Sequence, residues 1–277
     1  MSLSTLMRFR QAPVTVEEAK LNIFAPITKI PATYKDKYLI NETIFDNEQY
    51  KVKLRGVRLT QTHRDILDIA LFYGSYKLEE EIEEKVPVRT FSLYTILEHL
   101  GKETQNNQEW LVEKFQELKS AVITLQDKKQ NTDYEFCIIR ASQHSKNLNT
   151  FVLVLEELYL TFFESRVSIS YKELVNDIVN LKHAQTKAVV RYFLTHTKGH
   201  QINIDTLLRK VGVQGTQRNL EKMRSKVLTE LKEVGHKFNI ELIKTTTDKR
   251  KKSDYTVKYT RHEDVKIYYP EPTLFLK

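Results

Sequence analysis

Between Gln214 and Thr229 the sequence concentrates side chains that donate hydrogen bonds. Arg218, Lys222, Ser225, Lys226 and Thr229 recur at helical spacing, preceded by Gln214, Thr216 and Gln217. Leu220, Met223, Val227, Leu231 and Val234 fall on the opposite, apolar face. A rigid face of guanidinium, ammonium and hydroxyl groups suits the base edges and phosphate oxygens of a double helix. Arg and Lys match the two acceptors of guanine, while hydroxyls and amides clamp the backbone. A second cationic run, Lys249, Arg250, Lys251 and Lys252, falls in the turn TTTDKRKKSD between two β-patterned stretches, where it can reach a phosphate row or a minor groove.

The formal charge of +8 is unevenly placed. Residues 1–150 carry 21 basic and 21 acidic side chains, residues 151–277 carry 23 and 15, and residues 201–261 alone carry 15 and 7. The whole excess therefore coincides with the donor-rich segment, which marks a polyanion as the partner. Other chemistries lack their residues. No His-x-His pair accompanies Tyr268–Tyr269, as a metal-dependent nuclease would need, and no Gly-x4-Gly-Lys-Ser/Thr loop could cradle a nucleotide. His196 and His200 have a spacing seen in zinc sites but no recognisable third ligand, and Cys137 has no second cysteine, so it reads as a packed thiol. No enzymatic activity, cofactor or metal is expected.

The donor face needs a scaffold, and the chain supplies the same order of elements twice. TQTHRDILDIALFYG (60–74) reads as a helix, VPVRTF as a strand, SLYTILEHLG as a short helix capped by Ser92 and ended by Gly101, and NNQEWLVEKFQELKS as a further helix. AVITLQD and YEFCIIR then form a hairpin. A second series runs through QTKAVVRYFLTHTKG, HQIN, IDTLLRKVG, a long helix over 216–234 and the hairpin NIELIK/YTVKYTR. FSLYTILEHLG (91–101) superposes on INIDTLLRKVG (202–212) at an offset of 111 residues, pairing Thr95 with Thr206, Leu97 with Leu208 and Gly101 with Gly212.

That order predicts an α+β chain of two winged-helix domains in tandem. An extended N-terminal arm spans 1–37, the first domain 38–141, the second 150–262 and a tail 263–277; the polar ASQHSKNLN (141–149) marks the boundary between domains. No export signal or long apolar run is present, so the expected location is cytoplasmic, with no membrane partner. The two candidate reading helices differ in charge. Glu109, Glu113 and Glu117 form an acidic ridge on the first, which would be repelled by phosphates. The first domain is therefore expected to make protein contacts, with auxiliary DNA contacts through Lys128, Lys129 and Arg140 on its wing.

YKELVNDIVNLKHAQTKAVVRYFLTHT (171–197) and IDTLLRKVG…RNLEKMRSKVLTELKEVG (204–235) resemble the iteron-binding replication initiators of bacterial plasmids, over roughly residues 55–262. The resemblance implies a protein that binds short repeats in duplex DNA at a plasmid origin, helps open an adjacent AT-rich region and recruits host replication proteins. It also implies a homodimeric form that represses its own synthesis. A two-winged-helix transcriptional regulator is the alternative, since its DNA contacts would be the same. The N-terminal arm departs from the family pattern. Within it, KLNIF (20–24) is similar to peptides that dock on bacterial sliding clamps, with Leu21, Ile23 and Phe24 as anchors and Lys20 in place of the usual Gln; packing of these residues on the first domain is the competing reading.

Overall fold

The computed structural model describes residues 8–9, 11–28, 30, 38–77, 88–102, 106–145, 147, 150–159, 166–245 and 254–270. In chain order they form β1 (Val14–Thr15), α1 (Val16–Lys20), β2 (Tyr38–Asp46), β3 (Tyr50–Val57), α2 (Gln61–Tyr73), β4 (Ser75–Lys77), β5 (Val88–Ser92), α3 (Leu93–His99) and α4 (Gln108–Ser120). Next come β6 (Val122–Asp127), β7 (Thr132–Cys137), β8 (Ile139–Ser145), β9 (Thr150–Leu155), β10 (Ser168–Ser170), α5 (Val175–Val179) and α6 (Ala184–Leu194). The chain continues with β11 (His200–Asn203), α7 (Ile204–Lys210), α8 (Gln217–Val234), β12 (Ile240–Lys244), β13 (Tyr255–Tyr259) and β14 (Lys266–Tyr268). The chain is α+β, and among the described residues all strand pairing within the four sheets is antiparallel.

The internal repeat is real at the level of caps. Ser92 Oγ accepts from the Tyr94 amide at the start of α3, and 111 residues later Asn203 Oδ1 accepts from the Asp205 amide at the start of α7. Gly101 and Gly212 follow the two helices with φ of +62° and +82°, a left-handed backbone that glycine adopts at little cost. The repeat also corrects the wing of the first domain. In the second domain the sheet order is β11-β13-β12; its counterpart in the first is β5-β9-β8, extended at one edge by β4. The equivalent wing is therefore β8–β9, and the hairpin β6–β7 is an insertion that pairs with β3 in the separate sheet β2-β3-β6-β7.

Two further expectations change with it. Residues 141–145 of the polar stretch 141–149 belong to β8, which pairs with β9 as far as Ser145↔Thr150 while β9 pairs with β5 from Val88↔Val154 to Ser92↔Thr150, so the stretch falls within one sheet and is not a linker. Polarity marked a solvated hairpin end rather than a domain boundary. The terminal segments are also built into the fold. β1 and β14 flank β10 in one sheet, so an extended arm and a trailing tail both give way to paired strands.

The domains meet through a buried cluster of charge. α2 supplies Arg64, Asp65 and Asp68, α6 supplies Lys187 and Arg191, and α1 supplies Glu18, balancing three cations with three carboxylates, all largely buried. Arg191 bonds Asp65 at 2.6 Å, Asp68 at 3.0 Å and Gln61 Oε1 at 2.7 Å; Lys187 bonds Asp65 at 2.6 Å. Arg64 bonds Asp68 at 2.7 Å and Glu18 at 2.5 Å, and the hydroxyls of Tyr171 and Tyr159 donate to Asp68 and Glu18 at 3.0 Å. Burial works against the Arg191 charge, but Asp68 and Asp65 outweigh it and hold the guanidinium pKa above its ordinary value. Asp68 is fully buried and serves two cations and a hydroxyl. Asp68→Ala leaves those groups without their acceptor and is expected to cost about 3–5 kcal/mol of unfolding free energy. Urea denaturation of the full chain checks this, and a loss below about 1 kcal/mol would contradict the cluster's role.

Candidate nucleic-acid interface

The candidate surface is built on α8. Thr216 caps the helix by accepting from the Asn219 amide at 3.4 Å, and Val227, Leu228 and Leu231 are buried on its inner face, with Leu220, Met223 and Val234 partly covered. The short α7 packs through Ile204, Leu207 and Leu208, and Val211 and Val213 bury the connection between the helices. Gln214, Thr216, Gln217, Arg218, Lys222, Ser225, Lys226 and Thr229 are all exposed. The structure thus gathers every donor singled out between 214 and 229 on the solvent side of one helix and its leading turn. Lys249, Arg250, Lys251 and Lys252 lie outside the described residues.

Two buried residues of α8 were not singled out in the sequence. Glu230 accepts from the backbone amides of Lys182 and His183, at 2.5 and 3.2 Å, and so holds the start of α6. Arg224 lies inward at the base of the β12–β13 hairpin, 3.4 Å from Asp254. The spacing 220-224-227-231 was a usable signal for Arg224, since those positions share one helical face.

In the first domain Leu111, Phe115 and Leu118 of α4 are buried, and Phe115 stacks on Phe151 of the wing strand with centroids 4.6 Å apart. The acidic ridge is shorter than its spacing implied. Glu109 and Glu113 are exposed, but Glu117 is buried, 2.7 Å from His63 Nε2 and 2.6 Å from Lys114 Nζ. The His63 ring accepts from the Thr60 amide at Nδ1, so Nε2 carries the proton donated to Glu117. Lys128 and Lys129 are exposed in the β6–β7 turn, and Lys128 Nζ is held by Asp46 and by the Asn47 carbonyl, each at 2.6 Å. Arg140 is exposed on β8, in a different sheet, so these three cations do not share one hairpin.

The clamp-docking reading of Leu21, Ile23 and Phe24 is corrected by burial: they are only 3%, 4% and 7% exposed. The Phe24 carbonyl accepts from Gln61 Nε2, and the Arg64 guanidinium lies over the Phe24 ring. Their apolar surface is spent inside the fold and offers no anchor to a partner. His196 and His200 stack face to face with centroids 4.1 Å apart, and His196 Nδ1 lies 3.0 Å from the Tyr192 carbonyl. Cys137, expected to be packed, is half-buried at the end of β7. Among the described residues no group of three or more His, Cys, Asp or Glu could hold a metal ion, and no helix is long and apolar enough to cross a membrane.

This architecture is an α+β pair of winged-helix-like domains. Domains 2 and 3 of RctB share it: one crystal structure of them aligns with 92% of this chain and 97% of its own at a TM-score of 0.57 and 12% identity. A second aligns with 83% and 94% at 0.51 and 14%. The Pi initiator protein, solved in complex with iteron DNA, aligns with 73% of this chain and 90% of its own at a TM-score of 0.49 and 13% identity. No family model matches the sequence, and no curated protein is recognisably similar to it in sequence. At these identities the likeness to RctB domains 2 and 3 is one of fold.

Gly101 and Gly212 form a built-in comparison. A Cβ on Gly101 meets nothing within 4 Å, whereas one on Gly212 comes within 3.1 Å of the Asn22 side chain. Gly101→Ala is expected to cost about 1–2 kcal/mol for the left-handed backbone alone, and Gly212→Ala more, in urea denaturation; equal costs would show that the Asn22 contact yields freely. Burial, with Lys20 and His200 adding to it, lowers the His196 pKa to about 4. The unfolded chain, near the ordinary 6.5, binds that proton first, so stability should fall as the pH drops from about 6.5 towards about 4. Thermal melts of His196→Phe should lose part of this acid sensitivity.

Proposed function

We propose that this protein binds double-stranded DNA sequence-specifically through the exposed face of α8, recognising short repeats at a plasmid replication origin. The observation that carries the reading is that exposed face itself. A long helix, the second of a helix-turn-helix pair and followed by a hairpin, keeps Arg218, Lys222, Ser225, Lys226 and Thr229 in solvent. It lies in the segment that contains the chain's whole positive excess. Such a helix meets base edges with its N-terminal half, and counterion release from phosphates supplies affinity. Lys249, Arg250, Lys251 and Lys252 would add phosphate contacts, and Lys128, Lys129 and Arg140 auxiliary ones. Opening of adjacent duplex, recruitment of host replication proteins and an autorepressing homodimer complete the initiator reading. We assign it no catalytic step and no cofactor.

Site selection from a random duplex library, followed by footprinting, identifies the cognate sequence. Tandem direct repeats about two helical turns apart fit an initiator, and one palindrome fits a regulator. If Arg218 donates two hydrogen bonds to a guanine, Arg218→Ala should cost about 1–3 kcal/mol on the cognate duplex and much less on random duplex at the same salt. Equal losses on both would make Arg218 a phosphate contact and shift base reading to Lys222, Ser225 and Lys226, and no loss on either would make Arg218 a solvated side chain.

A further inference from the structure

Arg224 occupies an inward position of α8 that core packing alone would give to an apolar side chain. It is 8% exposed, between the levels of Leu220 and Val227. Taking a guanidinium out of water is costly, so the position calls for a reason other than filling space. Among the described residues it reaches carboxylates on other elements. Nη2 lies 3.4 Å from Asp254 Oδ1, just before β13, and Nε 3.5 Å from Asp205 Oδ1 on α7.

Asp254 is itself a junction. Both its carboxylate oxygens accept from Asn203 Nδ2 at 3.0 Å, Oδ1 accepts from the Tyr255 amide at 2.9 Å, and its carbonyl accepts from the Thr245 amide at 3.0 Å, which closes the base of the β12–β13 hairpin. Asn203 caps α7 with its other side-chain atom. One polar ring thus joins the end of β11, the start of α7, the hairpin base and α8. Asp205 and Asp254 have side chains 52% and 42% exposed, so ion pairs to them add little stability in water. What the ring does supply is relative orientation.

We propose that Arg224 is a positioning residue for DNA reading: through Asp254 it fixes the wing hairpin to the reading helix, so that the two meet a duplex as one unit. This rests on α8 being the reading helix. In the sequence the segment between Thr245 and Asp254 contains Lys249, Arg250, Lys251 and Lys252, so the two strands that the ring ties to α8 are those that flank the strongly basic run. A loosened base would keep its charge but lose its register with α8. Sequence discrimination should therefore suffer more than general affinity.

The test uses the full chain with Arg224→Met, Arg224→Lys, Asp254→Asn and the double variant Arg224→Met/Asp254→Asn, measured on cognate and random duplexes at one salt concentration. Arg224→Met and Asp254→Asn should each weaken cognate binding by about tenfold while changing random-duplex binding by less than about twofold. The double variant should be no worse than either single one, because both break the same link, and Arg224→Lys should recover part of the loss. Affinities are normalised to the folded fraction from thermal melts. Losses equal on the two duplexes, additive losses in the double variant, or losses that vanish on normalisation would each overturn the proposal. If Arg224→Met does not fold, Asp254→Asn, at a partly exposed site, decides. Wild-type discrimination that Arg218→Ala abolishes but these variants leave intact would defeat the positioning role and spare the reading helix; absence of duplex binding by wild type would defeat both.

Discussion

Asp65 and Asp68 on α2 face Lys187 and Arg191 on α6 across the contact between the two halves of the molecule, and the remaining architecture is arranged around that contact. A buried charge without a partner is costly, so each of these side chains restricts where the others can be. An apolar interface would tolerate sliding between the two helices. A six-charge cluster with hydroxyls and an amide as further partners tolerates little, because displacement leaves several groups without acceptors at once. The cluster therefore reads as a device for fixing orientation more than for adding stability.

The N-terminal segment owes its place to the same cluster. Glu18 completes the charge balance by pairing with Arg64 and accepting from Tyr159. Once it is there, Leu21, Ile23 and Phe24 are carried into the core and the Ala25 amide is carried to the Leu59 carbonyl. Asn22 in turn comes against Gly212, at the turn that leads into α8. A continuous chain of contacts thus runs from the interdomain charges, through the arm, to the leading edge of the proposed reading helix. The Arg224–Asp254 ring repeats the principle on a smaller scale, with polar groups used where direction matters.

The two halves put the same elements to different uses. Both hold a short capped helix, a glycine turn and a longer helix, yet the first half inserts β6–β7 and builds a second sheet with β2 and β3. The exposed face of its α4 carries Glu109 and Glu113, charges that phosphates repel. The second half has the basic exposed helix. The two halves share a frame and differ in surface charge.

Local physics was legible in the sequence. The apolar spacing of α2, α4, α6 and α8, the cap at Ser92, and the glycines that end α3 and α7 depend on neighbours a few residues away, and the exposed donor face of α8 follows from the same periodicity. Strand partnership was not legible, because a β-pattern shows which face of a strand is buried but not which strand lies beside it. Hence β6–β7 read as the first wing and the connection after β8 as a domain boundary. The inward turns of Glu117 and Glu230 were also hidden, since a charged residue is ordinarily placed in solvent unless its partner is known, and for Arg224 the spacing showed the face but not the partner. Those partners, His63, Asp254 and the amides of Lys182 and His183, lie 30 to 54 residues away. Only the tertiary structure brings them close enough for a buried charge to be satisfied.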